Sequence, residues 1–199
     1  TKNTTGTKKN TETQSEAAKE LNKTQKDAKA LTESAEALID KGTNSVFREK
    51  DITTKDDDGK EITTKGYDTE AIYNAVKKFA DNYNSLVDSG SKSASSKVRN
   101  QVDNMVSGTK AYEKLLNNVG ITIGSDNKLT IDKEAFKAAD MTTAKTLFNG
   151  NSSFAYSVSS RASMINFAAQ SEANRGSLYN HNGNYNNAYS AGSLLNSFF

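Results

Sequence analysis

The sequence contains no cysteine, no proline and no tryptophan, and it has a single histidine, His181. The absence of cysteine excludes a disulfide scaffold, a cysteine-ligated zinc site and thiol catalysis. One histidine excludes a metal site built from several histidines. Because proline interrupts helices more strongly than any other residue, its absence favours long continuous helices.

The net charge and the fraction of hydrophobic residues are also low. The 26 basic and 24 acidic residues leave a net charge of +2, which gives no electrostatic reason to expect binding to nucleic acid. No apolar run is long enough to cross a bilayer, and no signal-peptide pattern opens the chain, so we expect no membrane insertion. With 34% hydrophobic residues and a mean hydropathy of −0.75, a large spherical core is not expected. A narrow apolar stripe between helices can still bury enough surface to fold.

Helical periodicity runs through most of the chain. Residues 1–11 are polar and aperiodic, which predicts a disordered lead or linker. From about Glu12 to Lys41, small and apolar residues recur at alternating spacings of four and three, a heptad pattern. Similar patterns predict helices over 68–88, 95–118 and 152–173. The inward positions of these three would be Ile72, Val76, Phe79, Tyr83 and Leu86; Val98, Val102, Met105, Thr109, Tyr112 and Leu116; and Phe154, Val158, Met164, Ile165 and Ala168 or Ala169.

These patterns predict a mainly α fold. We expect one elongated antiparallel helical bundle over residues 12–178, with about four long helices, coiled-coil-like seams and two small β-hairpins near 51–64 and 120–131. Lys41-Gly42, Ser89-Gly90-Ser91 and Arg175-Gly176 would end helices. Residues 179–199 would form an Asn- and Tyr-rich tail with an apolar end.

Two stretches predict the hairpins. Asp58-Gly59 lies between arms that contain Ile52 and Ile62, which predicts a two-residue type I′ turn. The aspartate run 56–58 could suggest a calcium loop, but Thr54 and Lys65 occupy positions where carboxylates are required, so we interpret it as a solvated turn.

The second hairpin would pair Ile121 and Ile123 with Leu129 and Ile131. Asp132 would then cap a short helix that carries Phe136 and Ala139. Another short helix would begin at Thr142 or Thr143 and end at Asn149-Gly150.

No residue pattern indicates catalysis. His181 lies between two asparagines, which favours a solvated side chain over a ligand or a general base. There is no G-x-S-x-G elbow, no Gly-rich phosphate loop and no distinctive pair of carboxylates. We therefore predict no catalytic residue, no metal, no cofactor and no enzymatic activity.

Two apolar sets are candidate protein contacts. The first is Leu21, Leu31 and Leu38 on the first helix, and the second is Leu194, Leu195, Phe198 and Phe199 at the end of the tail. Each set packs either inside the chain or against another protein, and we favour the intramolecular interpretation for both. Four helices joined by short connections normally close on themselves, and exposed apolar clusters are rare on soluble monomers.

The stretch from Leu115 to Tyr156 carries a resemblance. It has Gly120-Ile121, a polar turn, the run LTID at 129–132, Phe and Ala at helical spacing, and Leu147-Phe148 before Gly150. Upstream, Phe79–Val87 reads FADNYNSLV. In this order and spacing, these motifs resemble the C-terminal part of the flagellar hook-associated protein 2 family, the filament cap proteins, whose preceding helix reads FV.AYN.L. The resemblance covers roughly residues 70–160.

The resemblance implies a structural protein of the bacterial flagellum, exported by the flagellar type III route to the cell exterior. It implies self-association and contacts with flagellin or other axial proteins, and it allows an export chaperone as a partner. The family usually carries large inserted domains where only about twenty-five residues around Asp58-Gly59 stand here, and Asn151-Ser152-Ser153 replaces a usual glycine. The chain would thus be a reduced or divergent paralogue.

Two alternatives belong to other functional classes. One is a helical adaptor or chaperone-like binding protein that is not exported. The other is an adhesin-like surface protein that uses the first hairpin and the Tyr/Asn-rich tail as its contact surfaces.

Overall fold

The computed structural model describes residues 5–55 and 57–178, with side chains described over 16–55 and 57–175. Within those residues the fold is mainly helical, with seven helices and two antiparallel two-stranded hairpins. The elements in chain order are α1 (Thr5–Ile39), β1 (Lys50–Lys55), β2 (Glu61–Gly66), α2 (Thr69–Ser91), α3 (Ser96–Lys110), α4 (Glu113–Asn117), β3 (Ile121–Ile123), β4 (Leu129–Ile131), α5 (Lys133–Ala138), α6 (Met141–Phe148) and α7 (Phe154–Leu178).

Helix α1 begins earlier than the sequence predicts. It starts at Thr5 rather than near Glu12, so residues 5–11, expected to be disordered, are helical, and residues 1–4 lie outside the described part. Once a helix is nucleated, each added residue gains one hydrogen bond, and the polar lead contains no proline to stop propagation. The heptad positions Leu31 and Leu38 are fully buried.

Helix α1 packs against α7 and α2, and both neighbours run antiparallel to it. At the end of α1, the Gly150 N–H, just before α7, donates to the Ile39 carbonyl at 3.0 Å. Further back, the Asn82 side-chain amide of α2 donates to the Ala30 carbonyl at 2.9 Å. Near the other end of α2, Gly90 faces Thr24 of α1.

Helix α2 carries the predicted apolar stripe. All five inward positions, from Ile72 to Leu86, are buried, and the Asp68 carboxylate accepts from the Ala71 N–H at 3.0 Å as the N-cap. The predicted turn at 89–91 is wrong, because α2 continues through Gly90 to Ser91. A Cβ at Gly90 would lie 2.4 Å from Val102 Cγ2, so this glycine lets α3 approach closely instead of ending the helix.

The helix predicted over 95–118 is interrupted. It divides into α3 and the short α4, with the Tyr112 N–H donating to the Thr109 carbonyl at the break. The half-buried Tyr112 ring lies 5.1 Å from the Phe154 ring, and Leu116 beyond the break is fully buried. Aromatic packing and burial on both sides of the break compensate for the lost helical turn.

Helix α7 departs from the prediction in two ways. It continues past Arg175-Gly176 to Leu178, since one glycine in a helix costs only about 1 kcal/mol. Met164, predicted to face inward, is 57% exposed, whereas its neighbour Ile165 is fully buried. Adjacent helical residues point about 100° apart, and here the core covers the side of the helix that carries Ile165.

Both predicted hairpins are present. In the first, the register pairs Lys55 with Glu61, so its connection is longer than the predicted two-residue type I′ turn. Among the described residues of this connection, Gly59 alone has a positive φ, 77°, whereas a type I′ turn needs a positive φ at Asp58 as well. Repulsion between neighbouring carboxylates disfavours crowding them into a two-residue turn. In the second hairpin the predicted pairing is confirmed, with Ile121 opposite Ile131 and Ile123 opposite Leu129.

The short helices close one end of the core. Asp132 caps α5 as predicted, accepting from the Ala135 N–H at 2.9 Å. Helix α6 begins at Met141, slightly before the predicted start, because Asp140 accepts from the Thr142 N–H and caps it. Its Phe148 ring joins Phe79 and Phe154 in a cluster with centroid separations of 5.8 to 6.0 Å in edge-to-face geometry.

Candidate protein-contact surfaces

The candidate contact residues of the first helix are occupied by the chain itself. Leu31 and Leu38 are fully buried in its core, and Leu21 packs against that core while half-buried. Leu31 and Leu38 are therefore not available to a partner in this conformation. The second set, Leu194, Leu195, Phe198 and Phe199, lies outside the described residues, as does His181, and the expectations for these residues stay predictions.

The most specific long-range polar contact links α2 to the second hairpin. The Leu129 N–H donates to Asn84 Oδ1 at 2.7 Å, and Asn84 Nδ2 donates to the Leu129 carbonyl at 2.8 Å. One side-chain amide thus satisfies the outward donor and acceptor of strand β4, as a neighbouring strand would. Asn84 lies in FADNYNSLV and Leu129 begins LTID, so the contact joins the two motifs that carry the family resemblance.

Gly120 completes the base of this hairpin. Its φ is +71°, a left-handed conformation that favours glycine, and its carbonyl accepts from the Asp132 N–H at 2.9 Å. A Cβ at this position would lie 2.9 Å from Ala135 Cβ and from the Phe136 backbone nitrogen. The glycine before Ile121 is therefore required by both backbone conformation and close packing.

Exposed ion pairs also link α2 to the second hairpin and to α5. Lys128 Nζ lies 2.9 Å from the Asp88 carboxylate, a hydrogen-bonded pair that lowers the pKa of Asp88 and raises the pKa of Lys128. Lys137 and Lys133 lie 2.9 and 3.0 Å from the Glu70 carboxylate and lower its pKa. Exposed pairs of this kind contribute little stability, so Asn84 supplies the specific link.

An apolar groove runs between α3 and α7. Met164 and Phe167 are 57% and 72% exposed, and they line a groove of about 680 Å³ that also includes Ala168 and residues of α3. The sequence analysis did not identify Phe167. Ser163 and Ser160 occupy the positions four and seven residues before it on the same face, so no apolar repeat marks it in the sequence.

A polar cleft of about 970 Å³ lies between the loop after α1 and helix α6. Its central side chain, Asn149, donates through Nδ2 to the Leu38 and Asp40 carbonyls at 2.8 and 2.7 Å. Carbonyls at a helix end lack partners within the helix, so Asn149 caps α1. The Nδ2 group is thereby engaged in a structural role.

Over the described ranges, no group of three or more potential metal-ligating side chains comes together, and no helix there is long and apolar enough to cross a membrane. Comparison of the chain with protein-family models, with curated proteins and with solved structures found no match. The assignment of a function therefore rests on the motifs and on the contacts between them.

Proposed function

We propose that this chain is a non-catalytic structural component of the bacterial flagellum, similar to the filament cap proteins, that assists flagellin assembly through protein contacts. The observation that carries the proposal is the paired hydrogen bonding of Asn84 with Leu129. Two motifs separated by 45 residues, each weak alone, are joined atom to atom. Motifs that belong to one structural unit are expected to contact each other in this way.

The proposal includes a specific architecture. The four long helices α1, α2, α3 and α7 would form one elongated antiparallel bundle with coiled-coil-like seams. Support comes from the end-to-end contacts of α3 with α7, where Lys97 Nζ lies 3.2 Å from the Glu172 carboxylate and Gly108 lies beside Arg161. Together with the antiparallel contacts of α1, these fit an arrangement in which each helix has two neighbours.

The mechanism would be geometric. Copies of the protein, exported by the flagellar type III route and associated through helix contacts, would offer arriving flagellin subunits a confined place to fold and add. The exposed first hairpin lies between α1 and α2, where the family usually carries its inserted domains. In a smaller paralogue, this hairpin would make the protein contacts that the inserted domains make in the family.

The experiment measures full-length protein in the culture medium of the bacterium that makes it, with and without a working flagellar export ATPase. Flagellin serves as the export control, and an abundant cytoplasmic protein reports leakage. We expect the protein in the medium of the wild type and its loss when the ATPase is removed.

Retention in the cytoplasm of both strains would overturn the proposal and favour the adaptor or chaperone-like alternative. Secretion that persists without the ATPase, at wild-type level, would instead favour the adhesin-like alternative. The same strains can report position, because an axial protein must copurify with sheared filaments or their tips.

A further inference from the structure

The exposed groove between α3 and α7 has a candidate occupant within the same chain. Met164 and Phe167 are one helical turn apart on α7, so their side chains lie side by side. Ala168 lies beside them, and Asn100 and Gln101 of α3 form the opposite wall. Single exposed apolar residues are ordinary on protein surfaces, but two large ones sharing a groove mark a contact site.

We propose that the apolar end of the tail, Leu194, Leu195, Phe198 and Phe199, packs into this groove of its own chain. In a helical turn, positions i, i+1, i+4 and i+5 lie on one face, so all four side chains can enter together. The proposal is independent of the flagellar assignment.

The charges of the two surfaces fit this pairing. Residues 179–199 contain no Asp, Glu, Lys or Arg. The charged residue that lines the groove, Lys97, is already paired with Glu172 at 3.2 Å. Docking therefore removes no unpaired side-chain charge from water, a transfer that would cost far more than covering the neutral side chains of the groove.

The length of the intervening chain is sufficient. Helix α7 ends at Leu178, and from there back to Phe167 is eleven helical residues, about 17 Å at 1.5 Å per residue. Residues 179–193 number fifteen and can span up to about 50 Å when extended. The tail can therefore turn back along α7 and bring Leu194 to the groove without strain.

Attachment to the same chain favours the tail over a second copy as the occupant. Two exposed side chains supply far less area than the roughly 1,000 Å² that a stable interface between separate proteins buries. A segment held by a short connection has an effective concentration in the millimolar range, so a small apolar site can be occupied from within the chain.

The test uses the absence of cysteine, because any introduced pair is then the only pair of thiols. The full-length double variant Ser163→Cys with Ser197→Cys is treated with a short bismaleimide and followed by intact mass. The control pair is Ser85→Cys with Ser197→Cys. Ser163 and Ser85 each donate to the carbonyl four residues earlier, and Ser85 is on α2, which does not line the groove.

We expect an intramolecular crosslink that forms about tenfold faster for the Ser163 pair than for the control, since docking raises the local thiol concentration. Adding Leu195→Ser and Phe198→Ser to the Ser163 pair should reduce its rate to that of the control. Circular dichroism of every variant should retain the helical signal, because none of the changed helical positions is in the buried core.

Equal rates for the two pairs would overturn the proposal, as would a rate unaffected by the Leu195 and Phe198 changes. Crosslinked dimers whose yield rises with protein concentration would identify a second copy as the occupant and also overturn it. A secreted protein that fails this test would leave the flagellar proposal standing, so the two ideas fail separately.

Discussion

Replacing Asn84 with alanine should destabilise the protein by breaking the link between α2 and the second hairpin. The change removes two hydrogen bonds, each with a net contribution of about 1 kcal/mol. Leu129 is 4% exposed, so its N–H and carbonyl lose their partners in a place with little access to water. We expect a loss of about 2 kcal/mol in the free energy of unfolding.

The matched control is Asn74→Ala. Asn74 lies on the same helix but is exposed, so both variants gain the same few tenths of a kcal/mol in helix propensity. The difference between them isolates the contacts made by the Asn84 amide. Urea unfolding followed by circular dichroism measures the free energy, and hydrogen exchange at the Leu129 amide should show that the lost protection is local to the hairpin.

Asn84→Asp sharpens the test through pH. The introduced carboxylate still accepts from the Leu129 N–H, but in its charged form it has no proton to donate to the Leu129 carbonyl. The protonated form can donate there, so the pKa of this carboxyl in the folded state is raised above its unfolded value of about 3.9. Its contribution to stability is present below the unfolded pKa and lost as pH rises through the folded pKa. The stability deficit of Asn84→Asp relative to the wild type should therefore shrink on acidification.

Equal stability of the Asn84→Ala and Asn74→Ala variants would refute the reasoning, and so would a stability deficit of Asn84→Asp that is independent of pH.

Three further predictions concern the core. Gly90→Ala would place a Cβ 2.4 Å from Val102, and the overpacking should cost about 1 to 3 kcal/mol in the free energy of unfolding measured with urea. At Gly108 the added Cβ meets only the flexible end of an arginine, so Gly108→Ala should be neutral or stabilising by up to about 1 kcal/mol in the same assay. Phe79→Ala removes a fully buried ring that contacts two other phenylalanines and should cost about 3 to 5 kcal/mol in the same assay. Burial raises the pKa of Tyr83 to about 12. The contribution of Tyr83 to stability is therefore present below its unfolded pKa of about 10 and is lost as pH rises through 12. Tyr83→Phe should abolish this loss of stability at alkaline pH, which unfolding measured from about pH 9 to 12 would show.

Each of these has a result that contradicts it. Equal effects of the two glycine changes would show that α2 and α3 are not in close contact at Gly90. A cost below about 1 kcal/mol for Phe79→Ala would place that ring outside the core. For Tyr83, whose buried hydroxyl lacks a hydrogen bond of good geometry among the described residues, an unchanged alkaline transition in the phenylalanine variant would assign the transition to another group.

The sequence alone determined the local features of this protein. The α2 stripe, the Asp132 cap and the pairing of Ile121 and Ile123 with Leu129 and Ile131 were all predicted, and all are observed. Each depends on residues close together in the chain. A cap is a hydrogen bond between a side chain and a backbone N–H three residues later, and hairpin register follows from alternation across a short turn.

Only the tertiary structure decided which surfaces meet. A periodic pattern tells which face of a helix is apolar and does not identify its partner, so the sequence left open whether Leu31 and Leu38 contact this chain or another. The same limit explains Gly90, whose role depends on Val102, and the outward position of Met164. The bond between Asn84 and Leu129 spans 45 residues, and no local rule reaches that far, because such contacts form only when the whole fold brings the two motifs together.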